Sequence, residues 1–312
     1  MTFQTFLQQL ANGISLGSLY SLIAIGYTMV YGILRLINFA HGDIFMMAAY
    51  FMVFSIVNFS LPWYISTVLV IVATVFLGVL IEKVAYRPLR NAPRMSIMIS
   101  AIGASFFLEN LAIYLFTGVP KGFPDIPLLT KSITIQGVSL TVATILTPII
   151  TIILLYVVLF ITNKTKIGMA MRAVSKDFET ARLMGININK VISSTFIIGS
   201  ALAAIGAILW GSKYPSVMPL MGVMPGLKCF IAAVLGGIGN TKGAVIGGFI
   251  LGMSEILLVS FLPSLTGYRD AIAFVILIVV LLVKPTGLLG EKVTDKVWWI
   301  NLAIIKWTVK IK

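Results

Sequence analysis

The 312-residue sequence has few charged residues, a single histidine (His41) and a single cysteine (Cys229). Charged side chains make up only 11% of the chain, whereas hydrophobic residues make up 59%, so the polar shell of a soluble protein is missing. One cysteine excludes an internal disulfide and a cysteine metal cluster. One histidine excludes an HExxH zinc site. These absences predict an integral membrane protein.

The sequence also lacks the motifs of the common enzyme classes. It contains no Gly-Lys dipeptide and therefore no Walker A loop, so any ATP that drives this protein must bind to another chain. No G-x-S-x-G elbow accompanies a plausible catalytic triad. A membrane enzyme acting on lipid would need clustered His, Asp or Glu at the interface, which the sequence does not provide. We predict no catalytic, cofactor-binding or metal-binding residues here, and hence a protein that is not itself an enzyme.

Long apolar runs dominate what is present. Four runs contain no Asp, Glu, Lys or Arg: 13–34, 44–81, 132–163 and 191–212. A helix needs about 20 apolar residues to cross the hydrocarbon. We predict spanning segments near 12–34, 43–59, 62–81, 95–117, 141–162, 191–211, 243–262 and 270–284. A ninth stretch, 227–238, is short and glycine-rich, and it either spans weakly or dips in and returns. The predicted fold class is an all-α polytopic bundle of eight or nine transmembrane segments in one permease domain over 1–312.

The basic residues predict how the bundle is oriented. Lys and Arg are concentrated in the 82–94 loop, the 163–190 loop and the C-terminal tail 285–312, and they are sparse in 118–140 and 212–228. Cytoplasmic loops carry the excess of Lys and Arg. The loops 82–94 and 163–190 and the C-terminal tail are therefore expected in the cytoplasm. This places the N-terminus outside and the C-terminus in the cytoplasm. The net charge of +13 then reports orientation and does not indicate nucleic-acid binding. The tail, with tryptophans among lysines, is expected to be a basic amphipathic membrane anchor.

Glycines recur at a spacing of four residues, in the pairs Gly13/Gly17, Gly243/Gly247 and Gly248/Gly252. Small residues at this spacing let helix backbones approach closely within lipid. We favour tight packing inside one bundle, and the alternative is an interface with a second permease or a mobile helix pair.

Few ionisable residues fall inside the predicted segments, and such residues usually mark transport pathways. Only two, Glu109 and Glu255, are expected at membrane depth, where each lines an aqueous pathway or pairs with a polar neighbour. The joint "INFAHGDIFMM" (37–47) is either a turn with Asp43 as N-cap of the second helix, or a gate or cytoplasmic contact. The pathway or gate candidates are Asn38, His41, Asp43, Glu109 and Glu255. So charge-poor an interior argues against an ion-coupled secondary transporter.

The loop 163–190 is a polar island in this apolar chain. Its stretch "SKDFETARLMGI" predicts a short helix over 175–186, with Ser175 or Asp177 as N-cap and Glu179 in the first turn. Gly185 fits the position after the last helical residue. Such a helix is too short to be stable alone, so it needs a surface on which to dock.

The spacing of small residues indicates how that helix would dock. Asp177, Ala181 and Gly185 recur at i, i+4 and i+8, which predicts a small face that approaches a partner closely. Phe178, Leu183 and Met184 would offer apolar contacts. A solvated loop that carries only topology charges would not explain the two caps and this face.

The stretch "ETARLMG" (179–185) resembles the E-A-A-x-x-x-G core of ABC-importer permeases. Glu179, Ala181 and Gly185 match, Thr180 replaces one alanine, and the usual I-x-L-P continuation is absent. The chain is similar to the branched-chain amino-acid permeases (LivH-like inner-membrane subunits) along nearly its whole length. The stretches that carry this resemblance are "NGISLGSLYSLIAIGYTMVYGILRLINFAHGDIFM" (12–46), "MAMRAVSKDFETARLMGI" (169–186), "VLGGIGNTKGAVIGGFILG" (234–252) and "KPTGLLG" (284–290).

The resemblance implies a transmembrane subunit of a binding-protein-dependent ATP-driven importer in the bacterial inner membrane. Its partners would be a second homologous permease, two ATPase subunits that bind ATP-Mg, and an external solute-binding protein. The cargo would be leucine, isoleucine and valine, or alternatively urea, short amides or another small solute. The island would supply the helix that couples the permease to the ATPase, through Asp177, Glu179, Ala181, Arg182 and Gly185.

Overall fold

The computed structural model describes residues 3–90, 92–135 and 137–290. Eight helical spans in these ranges are long and apolar enough to cross a membrane: Phe3–Leu34, His41–Asn58, Trp63–Tyr86, Arg94–Phe116, Val142–Lys164, Ile188–Lys213, Thr241–Phe261 and Pro263–Val283. They coincide with the eight predicted segments, which confirms the polytopic helical fold class. The first span begins at Phe3, earlier than the predicted residue 12, because its polar first turns continue the same helix.

Twelve α-helices make up the described part of the chain. They are α1 Phe3–Leu34, α2 His41–Val53, α3 Trp63–Ile81, α4 Arg94–Phe116, α5 Pro127–Thr130, α6 Val142–Lys164, α7 Lys166–Lys176, α8 Phe178–Leu183, α9 Ile188–Lys213, α10 Val223–Gly236, α11 Thr241–Phe261 and α12 Arg269–Val283. Two π-helical turns, Phe54–Asn58 and Glu82–Tyr86, extend α2 and α3, and a 3-10 helix, Pro263–Tyr268, precedes α12.

Four short strands, which hydropathy did not predict, lie between the helices: β1 Lys121–Gly122, β2 Ser132–Ile135, β3 Val138–Thr141 and β4 Ser216–Val217. Strand β1 pairs antiparallel with β4, with Lys121 opposite Val217. Strands β2 and β3 form a hairpin in which Ser132 lies opposite Thr141. The first pair joins two loops that are far apart in sequence.

Helix α1 is the centre of the bundle. In the most apolar 18-residue stretch of this helix, 94% is buried. In the corresponding stretch of Pro263–Val283 only 6% is buried, so that span lies at the periphery. The small residues of α1 permit its packing: a Cβ added at Gly17 would lie only 2.9 Å from the Cα of Phe249 on α11. Gly243 likewise faces Gly236 of α10. The spaced glycines therefore pack within the chain, as favoured from the sequence.

The connecting loops gather at two opposite ends of the bundle. At one end β1 pairs with β4, and Lys213 Nζ lies 3.5 Å from the carbonyl of Asn12. At the other end Arg90 Nη1 donates to Asn189 Oδ1 (2.6 Å) and Arg35 to the carbonyl of Ser175 (3.2 Å). The basic loops 82–94 and 163–190 thus share one end. That this end is cytoplasmic remains a prediction from the charge rule.

The short ninth segment crosses the bundle as a half-length helix. Helix α10 has 14 residues, about 21 Å, and is too short for a hydrocarbon core of roughly 30 Å. It begins in the interior, where Gly222 and Gly226 pack on Gly42, and it ends beside Gly243 at the start of α11. Residues 218–222 carry the chain from β4 to that interior start. The segment therefore continues across the bundle and does not return to the side from which it came. As a result, α1 begins at one end of the bundle and α12 ends at the other. The predicted amphipathic tail lies, from residue 291 on, outside the described residues.

Candidate functional site

The polar island folds into two short helices, α7 and α8, and not into one. The helix predicted to start at Ser175 begins at Phe178, because Ser175 belongs to the last turn of α7. Thr165 caps α7 by accepting a hydrogen bond from the backbone N–H of Gly168 (3.1 Å). Sequence reasoning missed α7, although its buried residues Gly168, Met171 and Val174 recur at helical spacing.

Asp177 is the N-cap of α8. Its Oδ1 accepts from the backbone N–H groups of Glu179 (2.9 Å) and Thr180 (3.2 Å), and its Oδ2 accepts from the Thr180 hydroxyl (2.6 Å). These bonds, the Thr180 hydroxyl foremost, hold the pKa of the Asp177 carboxyl below its ordinary value. Of the two N-caps that the sequence allowed, Ser175 and Asp177, the structure therefore confirms Asp177.

Gly185 ends α8 in the left-handed conformation, with φ of +80°. The N–H of Ile186 donates to the carbonyl of Ala181 (3.1 Å), and that of Gly185 donates to Arg182 (3.0 Å), which satisfies the last carbonyl groups of the helix. Apart from its two chain neighbours, no described residue has an atom within 4 Å of the position that a Cβ would occupy at Gly185. The glycine is therefore required by backbone conformation and not by lack of space.

Only one residue of the predicted small face is buried. Ala181 is 3% exposed and packs against the bundle, whereas Asp177 and Gly185 are exposed. The short helix is therefore seated on its own chain through Ala181, because alanine allows a close approach there. Leu183 is 86% and Met184 79% exposed. The exposed part of α8 is an apolar tip, with the exposed charges Glu179 and Arg182 beside it.

Asn38 and His41 lie in the interior at the start of α2. The Tyr86 hydroxyl donates to Asn38 Oδ1 (2.8 Å), and the His41 ring packs edge-on against Tyr27 with centroids 5.7 Å apart. Asn38 Nδ2 and His41 Nε2 have no hydrogen-bond partner in the described part of the chain. With Asp43 Oδ1, the joint 37–47 therefore keeps three unsatisfied polar atoms in the interior, more than a plain capped turn requires.

Asp43 is not the N-cap of α2, since that position is held by Ala40 without a side-chain bond. Asp43 lies within the first turn, where its Oδ2 accepts from the Ser105 hydroxyl of α4 (2.5 Å) and its Oδ1 has no partner. Glu109 stands one turn beyond Ser105 on α4, on the same face, and is buried. The structure therefore brings the candidates Asp43 and Glu109 together along the α2–α4 contact.

Glu255 belongs to a separate buried cluster. Its Oε2 pairs with Lys228 of α10 (2.9 Å) and accepts from the Tyr20 hydroxyl of α1 (2.9 Å). Lys228 also pairs with Asp270 at the start of α12 (2.7 Å), and Arg269 lies 3.7 Å from Glu255. Sequence reasoning placed Lys228 in a loop. The available signal was its position at the edge of the apolar stretch 227–238.

Glu82 is a fourth buried acid, beside Asp43, Glu109 and Glu255, and the sequence assigned it to a loop. It is fully buried, pairs with Arg90 (3.2 Å) and accepts from the Ser193 hydroxyl of α9 (2.8 Å). The π-helical turn at Glu82–Tyr86 carries helical structure past the point where hydropathy falls, so Glu82 stays in the interior. No group of three or more His, Cys, Asp or Glu within the described ranges could hold a metal ion.

Comparison with known proteins shows which family this arrangement resembles. The model of a family described as branched-chain amino acid transport system / permease component matches residues 9–281. The high-affinity branched-chain amino acid transport permeases LivH of Salmonella typhimurium and of Escherichia coli are each 42% identical over 312 aligned positions, covering 95% of this chain and 99% of the relative. BraD of Pseudomonas aeruginosa is 40% identical and covers 94% and 98%.

A solved structure shares the fold at low sequence identity. PsaBC from Streptococcus pneumoniae, determined in complex with a Fab, superposes with a TM-score of 0.51 at 13% identity, covering 89% of this chain and 92% of that one. This likeness concerns the helical architecture alone.

Proposed function

Because this chain belongs to the branched-chain amino acid transport permease family, we propose that it moves leucine, isoleucine and valine into the cytoplasm as a subunit of an ATP-driven importer. It is a multi-pass inner-membrane protein with eight membrane-spanning helices among its described residues. As a permease subunit of a transport system it is not an enzyme by itself.

The observation that supports ATP-driven transport is the exposed tip of α8. Leu183 and Met184 project from a helix that is capped at both ends and fixed to the bundle by Ala181. We infer that this tip seats in a cleft of a partner ATPase, flanked by Glu179 and Arg182. Asp177 and Gly185 would hold its shape. Because the sequence has no phosphate-binding loop, ATP-Mg would bind only in the partner, and this chain would need no cofactor of its own.

The partners follow from this assignment. Two ATPase subunits, a second homologous permease and an external solute-binding protein would complete the importer. The end of the bundle opposite to α8, with the β1–β4 pair and the β2–β3 hairpin, would receive the binding protein. Closure of the ATPase pair would move the docked α8 and switch access to the pathway from one side of the membrane to the other.

The half-length helix α10 and the start of α2 meet in the interior, and we infer that the pathway passes beside this contact. Irregular backbone at membrane depth, such as 218–222, is tolerated where it is buried in protein or lines a cavity. The unpaired polar atoms of Asn38, His41 and Asp43 lie at the same joint. They are our candidates for contact with polar groups of the passing solute, together with Glu109.

Uptake by proteoliposomes that hold the full assembly tests this proposal. Labelled leucine should accumulate only when ATP and the binding protein are both supplied. This uptake should persist after an ionophore collapses the ion gradients. Uptake that follows the gradient without ATP would instead indicate a secondary transporter. ATP-driven uptake of urea or a short amide, with no leucine uptake, would correct the cargo and keep the class.

A further inference from the structure

A cavity of about 770 Å³ opens at the end of the bundle that carries the basic loops. It lies between the end of α1, the connection from α3 to α4, and the junction of α8 with α9. Leu34, Leu36 and Ile97 give it an apolar floor, and Ile186 lines the side next to α8. The cavity shares Glu179 and Arg182 with α8, but the exposed tip Leu183–Met184 and the pathway candidates do not line it.

Arginines line the other part of the cavity. The side chains of Arg87, Arg94 and Arg182 make no hydrogen bond or ion pair with any described residue, whereas the Arg90 side chain is held by Glu82 and Asn189. Glu179 is the one acidic side chain among the lining residues. Three free guanidinium groups around one space attract an anion, and guanidinium groups match the geometry of phosphate oxygens.

The position of the cavity indicates which anion would reach it. Val84 and Met95, immediately before and after the α3–α4 connection, are 68% and 65% exposed on the outer face of the bundle, where hydrocarbon would cover them. The cavity therefore lies where the acyl chains meet the headgroups. A soluble anion would use the arginines but would leave the apolar floor of Leu34, Leu36 and Ile97 uncovered. A phospholipid would use both parts.

We propose that this cavity binds the headgroup phosphate of an anionic phospholipid. Arg87 and Arg94 hold the phosphate, the apolar floor contacts the glycerol and the first methylenes, and Arg182 links the bound lipid to α8. Basic pockets between helices on the cytoplasmic side of membrane proteins bind anionic headgroups in this manner. The proposal holds whatever solute is transported, because it concerns lipid binding by this chain alone.

The test is a ligand titration of the purified full-length chain in neutral detergent, in which microscale thermophoresis measures the binding. The three ligands are short-chain phosphatidylglycerol, short-chain phosphatidylcholine and inorganic phosphate. We expect saturable binding of phosphatidylglycerol only. The double variant R87Q/R94Q should bind it about tenfold more weakly or worse, because two charged hydrogen-bonding groups are lost.

The matched control is K164Q/K166Q, which removes the same charge from exposed positions outside the cavity at the same end of the bundle. It should change the affinity by less than about threefold, since exposed charges act weakly through solvent. A second variant, Ala92→Trp, places a bulky side chain at the cavity lining without removing a charge and should also weaken binding. Unfolding temperatures without lipid establish that each variant is folded.

Equal losses in R87Q/R94Q and K164Q/K166Q would overturn the proposal, because they would show attraction by diffuse charge and not a site. Undiminished binding by Ala92→Trp would also overturn it. Inorganic phosphate that binds as tightly as phosphatidylglycerol would replace the lipid with a soluble anion. None of these outcomes depends on leucine uptake, so failure here is separable from failure of the proposed function.

Discussion

Lys228 of α10 and Glu255 of α11 form an ion pair of 2.9 Å inside the bundle. Both side chains are buried, and the Tyr20 hydroxyl and Asp270 complete the arrangement. Charged groups at such depth are rare, and they are tolerated when they pair with one another. The pair fixes the half-length helix α10 against the full-length helix α11.

Replacing Lys228 with methionine should destabilise the chain by about 3 kcal/mol, because it leaves the buried carboxylate of Glu255 without its closest cation. Thermal unfolding in lipid nanodiscs measures the loss. Lys242→Met, at an exposed position on α11, is the matched control and should change little. The double variant K228M/E255Q should recover part of the loss. An unfolding temperature unchanged in Lys228→Met would contradict a structural role for this pair.

Asp177→Ala should loosen α8 without unfolding the bundle, whereas Asp177→Asn should keep most of the cap. Hydrogen exchange at the backbone of Glu179 and Thr180 is the measurement, since Asp177 accepts from both. Equal exchange in wild type and Asp177→Ala would show that the cap does not hold the helix.

Hydrogen exchange at the same two amides should also depend on pH. The folded pKa of Asp177 lies below the unfolded one, so its stabilising effect is present above the unfolded value of about 3.9 and is lost as the pH falls through the folded pKa. Exchange protection, corrected for the intrinsic rate, should therefore be flat from about pH 8 to 5 and should fall only below about pH 4. Loss of protection between pH 7 and 5 would assign the effect to another group.

The local features of α8 could be predicted from the sequence, and its orientation could not. Caps depend on residues within a few positions of each other, so Asp177 and Gly185 were identified correctly. The direction in which Ala181 faces depends on how α8 packs on the bundle. Hydropathy carries no information about the rotation of α8 about its own axis. The same limit explains why the bond from Ser105 to Asp43, between helices 62 residues apart, was missed.

Gly185→Ala and Gly185→Leu should reduce ATP-driven uptake to a similar degree. At φ of +80° any side chain is strained by about 1 kcal/mol or more, while the space around the missing Cβ is open. Gly185→Asn should be milder because asparagine tolerates this conformation. Initial uptake rates in proteoliposomes give the ranking. A leucine variant far worse than the alanine variant would show that a docked partner occupies this space.

Ala181→Leu should destabilise the permease alone by about 1–3 kcal/mol, because Ala181 is buried against its own bundle. Thermal unfolding of the chain without its partners is the measurement. An unchanged unfolding temperature, with loss of the ATPase only, would place Ala181 at the partner interface, as the sequence first suggested.

We infer that α8 transmits the work of a partner ATPase through Leu183 and Met184. Leucine uptake and ATP hydrolysis, measured together in proteoliposomes, test this role by comparing L183N/M184N with the conservative variant Met184→Leu. The variant L183N/M184N should keep the unfolding temperature of the isolated permease but lose about tenfold or more of its leucine transport per ATP hydrolysed, while Met184→Leu should stay near wild type. Normal transport per ATP in L183N/M184N, with the ATPase subunits still bound, would contradict it.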